Sequence, residues 1–114
     1  MTAVCYVPDR GEVVWLDFDP QAGHEHAGRR PAFVLSPRSY NKKTSLMLCC
    51  PITSQVKGYP FEVAVAGVTT VRGVILADQV KSLDWQVRRV EKGGRASREV
   101  LEEVVLKIRA ILEG

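Results

Sequence analysis

The sequence predicts a mainly β fold, a small antiparallel barrel followed by one C-terminal α-helix. Three observations lead there. Short runs rich in β-branched and aromatic residues recur between residues 12 and 90, each bounded by turn residues. The segments between them are too short for crossover helices, so neighbouring strands run antiparallel. The last eighteen residues change to a helical period.

In chain order the strand candidates are EVVWLDF (12–18), PAFVLS (31–36), LMLCCPI (46–52), FEVAV (61–65), VRGVILA (71–77), VKSL (80–83) and WQVRRV (85–90). Their connections DPQAGHEHAG, PRSYNKK and SQVKGYP carry Gly, Pro, Asn or Asp and are expected to be turns and loops. EKGGRAS is expected to be the loop that joins sheet to helix. In SREVLEEVVLKIRAILEG the apolar positions 100, 101, 104, 105, 108, 111 and 112 lie on one helical stripe. Ser97 is the expected N-cap, Glu99 suits the first turn, and Lys107 and Arg109 fall toward the C-terminal end.

A chain of 114 residues, 46% apolar and 25% charged, has room for one domain (1–114) and the composition of a folded globular protein. Its longest apolar run, LMLCCPI, has seven residues against the roughly 20 of a membrane-spanning helix. MTAVCYVPDR lacks a signal-peptide core, so the expected compartment is the cytoplasm, with no membrane association. The three cysteines, Cys5, Cys49 and Cys50, have no CxxC spacing, which argues for reduced, buried thiols and against a metal site. Cys49 and Cys50 should face opposite sides of a sheet. No cofactor is expected.

Net charge is only +3, yet it is unevenly placed. Residues 1–28 hold five acidic and one basic side chain, whereas residues 29–57 hold six basic ones and no acid. A local positive field on a nearly neutral body suits a polyanion in one groove.

The motif HEHAGRRPAFVLSP (24–37) lies at the head of that basic segment. Pro31 fixes its own φ and drives Arg30 toward extended backbone, so the Arg30 guanidinium leaves the strand entrance in a defined direction. Such a fork matches phosphate oxygens. A second candidate is PITSQVKGYP (51–60), where Thr53 and Ser54 end a strand before Lys57. Hydroxyls there commonly cap turns. Should the two strands be neighbours, Thr53 and Arg30 would meet at one rim as an oxyanion clamp. HEH has no metal-binding spacing. A general base, if there is one, is Glu25 or a histidine, because arginine with a pKa above about 12 is a poor proton acceptor.

The blocks YVPDRGEVVWLDFDPQAGHEHAGRRPAFVLSPRSYN, CCPITSQVKGYPFEV and GVILADQVKSLDW resemble the MazF (PemK-like) toxins of bacterial toxin–antitoxin pairs over essentially the whole chain; only the part from Val87 on is looser. The resemblance implies an SH3-like (CcdB/MazF-like) barrel with a C-terminal helix and a homodimer. It implies an mRNA interferase: metal-independent, sequence-specific cleavage of single-stranded RNA by 2′-hydroxyl attack, leaving 2′,3′-cyclic phosphate and 5′-hydroxyl ends. It also implies a cognate, MazE-like antitoxin, expected to compete for the cationic groove with an acidic, disordered tail. The family's catalytic arginine falls on Arg30, its threonine on Thr53, and the loop glutamate of close relatives on Glu25.

RNA contacts are expected from Lys42, Lys43, Lys57 and Lys81 to phosphates, and from Phe18, Asn41 and Gln79 to bases. His24, Arg29, Ser54 and Gln55 complete the expected surface. His24 and His26 stand where the family has other polar residues, and the doubled Arg29–Arg30 is a further departure. An alternative from a related toxin group of the same fold is a non-catalytic toxin that binds a protein such as DNA gyrase.

Overall fold

The computed structural model describes residues 6–18 and 28–114. Its elements are β1 (Glu12–Asp17), β2 (Arg29–Val34), α1 (Arg38–Thr44), β3 (Leu46–Thr53), β4 (Glu62–Ala64), β5 (Val74–Leu76), β6 (Lys81–Asp84), β7 (Glu91–Arg95) and α2 (Arg98–Glu113). All strand pairings are antiparallel, in the order β4-β5-β3-β2-β1-β7, with β6 also paired to β3.

β3 organises the sheet. One edge pairs with β2 through Cys49, Cys50 and Pro51. The other edge is divided, with β6 along Leu46–Cys49 and β5 at Ile52 and Thr53.

Strand alternation separates two cores. Val13, Phe33, Cys50, Ile52 and Ile75 pack beneath Val100 and Val104 of α2. Val14, Leu16, Ala32, Val34, Met47 and Cys49 pack on the opposite face with Trp85. Cys49 and Cys50 therefore lie on opposite faces, as their adjacency requires. Burial pushes both thiols up to about 12, so they stay protonated at neutral pH. No helix among the described residues is long and apolar enough to cross a membrane.

The expected barrel is looser than a closed one, for β4 and β7 do not pair. The loop after β4 seals the gap: Ser97 N–H donates to Ala66 O at 3.0 Å, and the Thr70 hydroxyl donates to Gly93 O at 3.0 Å. The backbone needs glycine there, because a Cβ on Gly67, at φ +88°, would lie 2.7 Å from Ser97 N.

Three expectations along the chain are corrected. PRSYNKK is largely α1, a helix too short to show a period and held by tertiary contacts through the fully buried Asn41. The expected strand WQVRRV is instead a turn over residues 85–89, with Arg89 at φ 53° and Trp85 buried beneath the sheet. EKGGR is strand β7 rather than a loop. Its pairing with β1 shifts register between Val13 and Val14, and Gly94 at φ +144° fits against Val68, so the glycine doublet serves a bulge. The helical tail agrees with expectation: α2 follows Ser97 in an extended conformation, although the Ser97 side chain makes no capping bond.

Candidate active site

The cleft opens where β2 and β3 part. Their ladder ends at Ala32↔Pro51, beside two residues without an N–H, Pro31 and Pro51, that cannot donate across strands. The paired register, extended by two residues, sets Arg30 opposite Thr53. Both line one cleft of about 510 Å³, together with Ser54, Gln55 and Arg72. Arg30 and Thr53 each lie two residues beyond the last pair, so strand alternation puts both on the face of Ala32 and Pro51, where two segments more than twenty residues apart in sequence meet.

The two adjacent arginines differ in their surroundings. Arg29 donates to Asp17 at 3.2 Å, to the carbonyl of Arg89 at 2.9 Å, and to Glu91. Asp17, its cross-strand partner, also accepts from Arg89 at 3.0 Å. The hydrogen bond from Arg89 and then that from Arg29 hold the Asp17 carboxyl below its ordinary range, with burial opposing. Arg30 is exposed and makes no hydrogen bond or ion pair among the described residues. No carboxylate is among the described residues lining the cleft.

Thr53 is half-buried, and its hydroxyl oxygen accepts from Gln55 N–H at 3.1 Å. The turn-capping role open to this residue is thus filled, yet the hydroxyl proton remains available for donation. On the other side of Thr53 lies β5, pressed close: a Cβ on Gly73, at φ +127°, would stand 2.1 Å from Thr53 O. Only glycine lets the chain through.

Thr53 and Gln55 also border a second hollow of about 240 Å³, lined by Lys57, Tyr59, Asp78 and Gln79. The Lys57 turn is held there by the Glu62 carboxylate, which accepts from Lys57 N–H at 3.0 Å and from Gly58 N–H at 3.1 Å. The two hollows share Thr53 and Gln55 as lining residues and together border the groove at the end of β3.

A family model described as PemK-like, MazF-like toxin of type II toxin–antitoxin system matches residues 9–112. The chain belongs to this family. The endoribonuclease toxin MazF of Escherichia coli (strain K12) is 51% identical over 107 residues, covering 94% of this chain and 96% of that protein. A chain of the MazE–MazF (Form-II) crystal structure from Deinococcus radiodurans matches with a TM-score of 0.84 and 50% identity, over 95% of this chain and 97% of that one. Deinococcus radiodurans MazF (Form-I) gives a TM-score of 0.85 and 55% identity, over 96% of this chain and 100% of that one.

For this MazF-like chain, the residues singled out from sequence divide into three groups. Arg29, Arg30, Thr53, Ser54, Gln55, Lys57 and Gln79 border the groove. His24 and Glu25 lie outside the described residues. Phe18, Asn41, Lys42, Lys43 and Lys81 line neither hollow. Asn41 is corrected to a structural residue: fully buried, its side-chain amide donates to Pro8 O at 2.8 Å and Ser36 O at 3.0 Å. Phe18 packs against the Val14–Leu16 core. Lys42 and Lys43 sit on α1, at the far end of β3 from Thr53, and Lys81 sits on β6 at the level of Cys49. Sequence reading missed Trp15, Tyr59, Thr70 and Arg72, which border the groove from positions that read as ordinary strand or loop.

Proposed function

We propose that the groove binds single-stranded RNA and that the Arg30–Thr53 cleft is where the strand is cut. The observation that carries this is the convergence of an exposed guanidinium and a free hydroxyl proton in one cleft bordered by no described carboxylate. The family relatives are named endoribonucleases, which supports the same reading. The 2′-oxygen attacks the adjacent phosphorus, the bond to the 5′-oxygen breaks, and 2′,3′-cyclic phosphate and 5′-hydroxyl ends result. Arg30 hydrogen-bonds to the phosphoryl oxygens and to the departing 5′-oxygen, which takes its proton from water, while the Thr53 hydroxyl donates a hydrogen bond to a phosphoryl oxygen. Donation from Gln55 N–H into the same hydroxyl polarises it for that role. One such donor is worth about 10²–10³ in rate.

Glu25 is the proposed acceptor of the 2′-hydroxyl proton, because carboxylates are ionised at neutral pH and arginines hold their protons. An acidic limb of the pH–rate profile that survives Glu25→Gln would overturn that role. Gln55, Lys57, Tyr59 and Gln79 give the strand a path beyond Thr53, with Tyr59, 58% exposed, as a stacking platform. The alternative of a toxin that only binds a protein target needs neither Arg30 nor Thr53 in a shared cleft.

The working form is proposed to be a cytoplasmic homodimer restrained by an antitoxin. The outer face of α2, where Leu106 is 66% exposed and lies beside Leu101 and Val105, supports an apolar protein contact. The Deinococcus radiodurans relative crystallised with MazE, which supports a partner of that kind here.

The test is incubation of the purified protein with a labelled single-stranded RNA in EDTA. Discrete fragments ending in 5′-hydroxyl groups are expected, and Arg30→Ala should slow their appearance by about 10²–10³. Intact RNA, or cleavage indifferent to Arg30→Ala, would overturn the reading.

A further inference from the structure

We propose that Arg72 is a phosphate-positioning residue that holds the phosphate next to the scissile one, while Arg30 and Thr53 hold the scissile phosphate itself. The inference rests on the RNA-cleavage reading above and deepens it.

Thr53 stands between two neighbours in the sheet. On the β2 side the extended register sets Arg30 opposite it; on the β5 side it pairs with Val74, two residues after Arg72. Gly73 links them, its Cα side pressed on Thr53 O so closely that a Cβ would lie at 2.1 Å. The backbone at Arg72 is therefore tied to the catalytic strand, and Thr70 is tied to β7 by its bond to Gly93 O at 3.0 Å. A loop fastened on both sides presents Arg72 at a defined place on the cleft rim.

Electrostatics point the same way. Arg29 is neutralised by Asp17 and Glu91, whereas Arg72 is exposed and has no ion pair among the described residues. Arg30 and Arg72 face one cleft without a described carboxylate between them. Two cationic groups lining one cleft together make its field positive and favour an anion there. A single strand of RNA supplies one phosphate per nucleotide, and two guanidinium forks flanking one hydroxyl suit successive phosphates.

The experiment is steady-state cleavage of a single-site RNA by the wild type, Arg72→Ala and Arg72→Lys across a KCl series. It is repeated with RNAs in which each phosphate flanking the cut is replaced singly by an uncharged methylphosphonate. Arg72→Ala is expected to raise KM about tenfold, with a much smaller change in kcat, as for loss of a charged hydrogen bond. The slope of log(kcat/KM) against log salt should become shallower by about 0.7. Arg72→Lys should restore most of the slope. One methylphosphonate should impair the wild type and leave Arg72→Ala unaffected. Equal impairment of both proteins at every position, or an unchanged salt slope, overturns the role of Arg72. Failure of the wild type to cut the unmodified RNA overturns the cleavage reading and this inference together, a result separate from the mutant comparison.

Discussion

The two ends of β3 use the same kinds of polar residue in opposite ways. At the start of the strand, Asn41, Ser36 and Trp85 form a closed set. The Ser36 hydroxyl donates to Asn41 Oδ1 at 2.6 Å and accepts from Leu48 N–H at 2.8 Å, while Trp85 Nε1 donates to Asn41 O at 2.9 Å. At the other end Thr53, Ser54 and Gln55 follow the point where β2 departs, and Arg30 and Arg72 face them with no described anion. Buried polar groups that satisfy one another stabilise a fold, whereas exposed ones paired with water stay open to exchange that water for a ligand. The same strand thus carries a structural lock and the proposed binding site.

Substitutions along β2 and β3 sharpen this contrast. The largest stability effect is expected from Phe33→Ala, which empties a fully buried site between the sheet and α2. Urea unfolding should show a loss of about 3–5 kcal/mol. Arg30→Ala, three residues earlier on β2, should leave the unfolding midpoint in place and lower cleavage by about 10²–10³. Asn41→Ala reverses that pattern: it strands the buried Ser36 and Pro8 groups, so stability should fall by about 1–3 kcal/mol while RNA affinity of the folded fraction is unchanged. A drop in RNA affinity without a drop in stability would break the contrast.

The smallest effect concerns pH. A carboxyl held below its ordinary pKa stabilises the folded state above the unfolded value, about 3.9, and that contribution disappears as pH falls through the native value. Asp17 is such a group, held down by Arg89 and Arg29. Stability should therefore be flat with respect to Asp17 near neutrality and decline below about pH 4. In Asp17→Asn that part of the acid decline should vanish, as read from urea midpoints across pH.

Much of this was legible in the sequence, for identifiable reasons. Continuous apolar runs between turn residues located β1 and β3, whose side chains enter cores on both faces of the sheet, and the 3.6-residue period located α2, which buries one stripe. α1 escaped because seven residues with one buried side chain carry no period. β7 escaped because its Gly93–Gly94 pair resembles a turn, while its actual use depends on Val13, Trp15 and Val68 from distant parts of the chain. At the site, the Arg30–Pro31 motif and the Thr53 strand end were readable locally. Arg72 was not, since its place depends on how the loop after β4 closes the sheet. Asn41 was misread because an asparagine among lysines looks like a surface residue until Pro8 and Trp85 are packed over it.

The most direct measurement is a double-mutant cycle of Arg30→Ala and Thr53→Val on the rate constant for single-turnover RNA cleavage, with folding checked by unfolding midpoints. If the two side chains act on one phosphate, the double variant should be little slower than the slower single variant. Two losses that multiply in full would place the two groups at independent tasks and contradict the shared cleft.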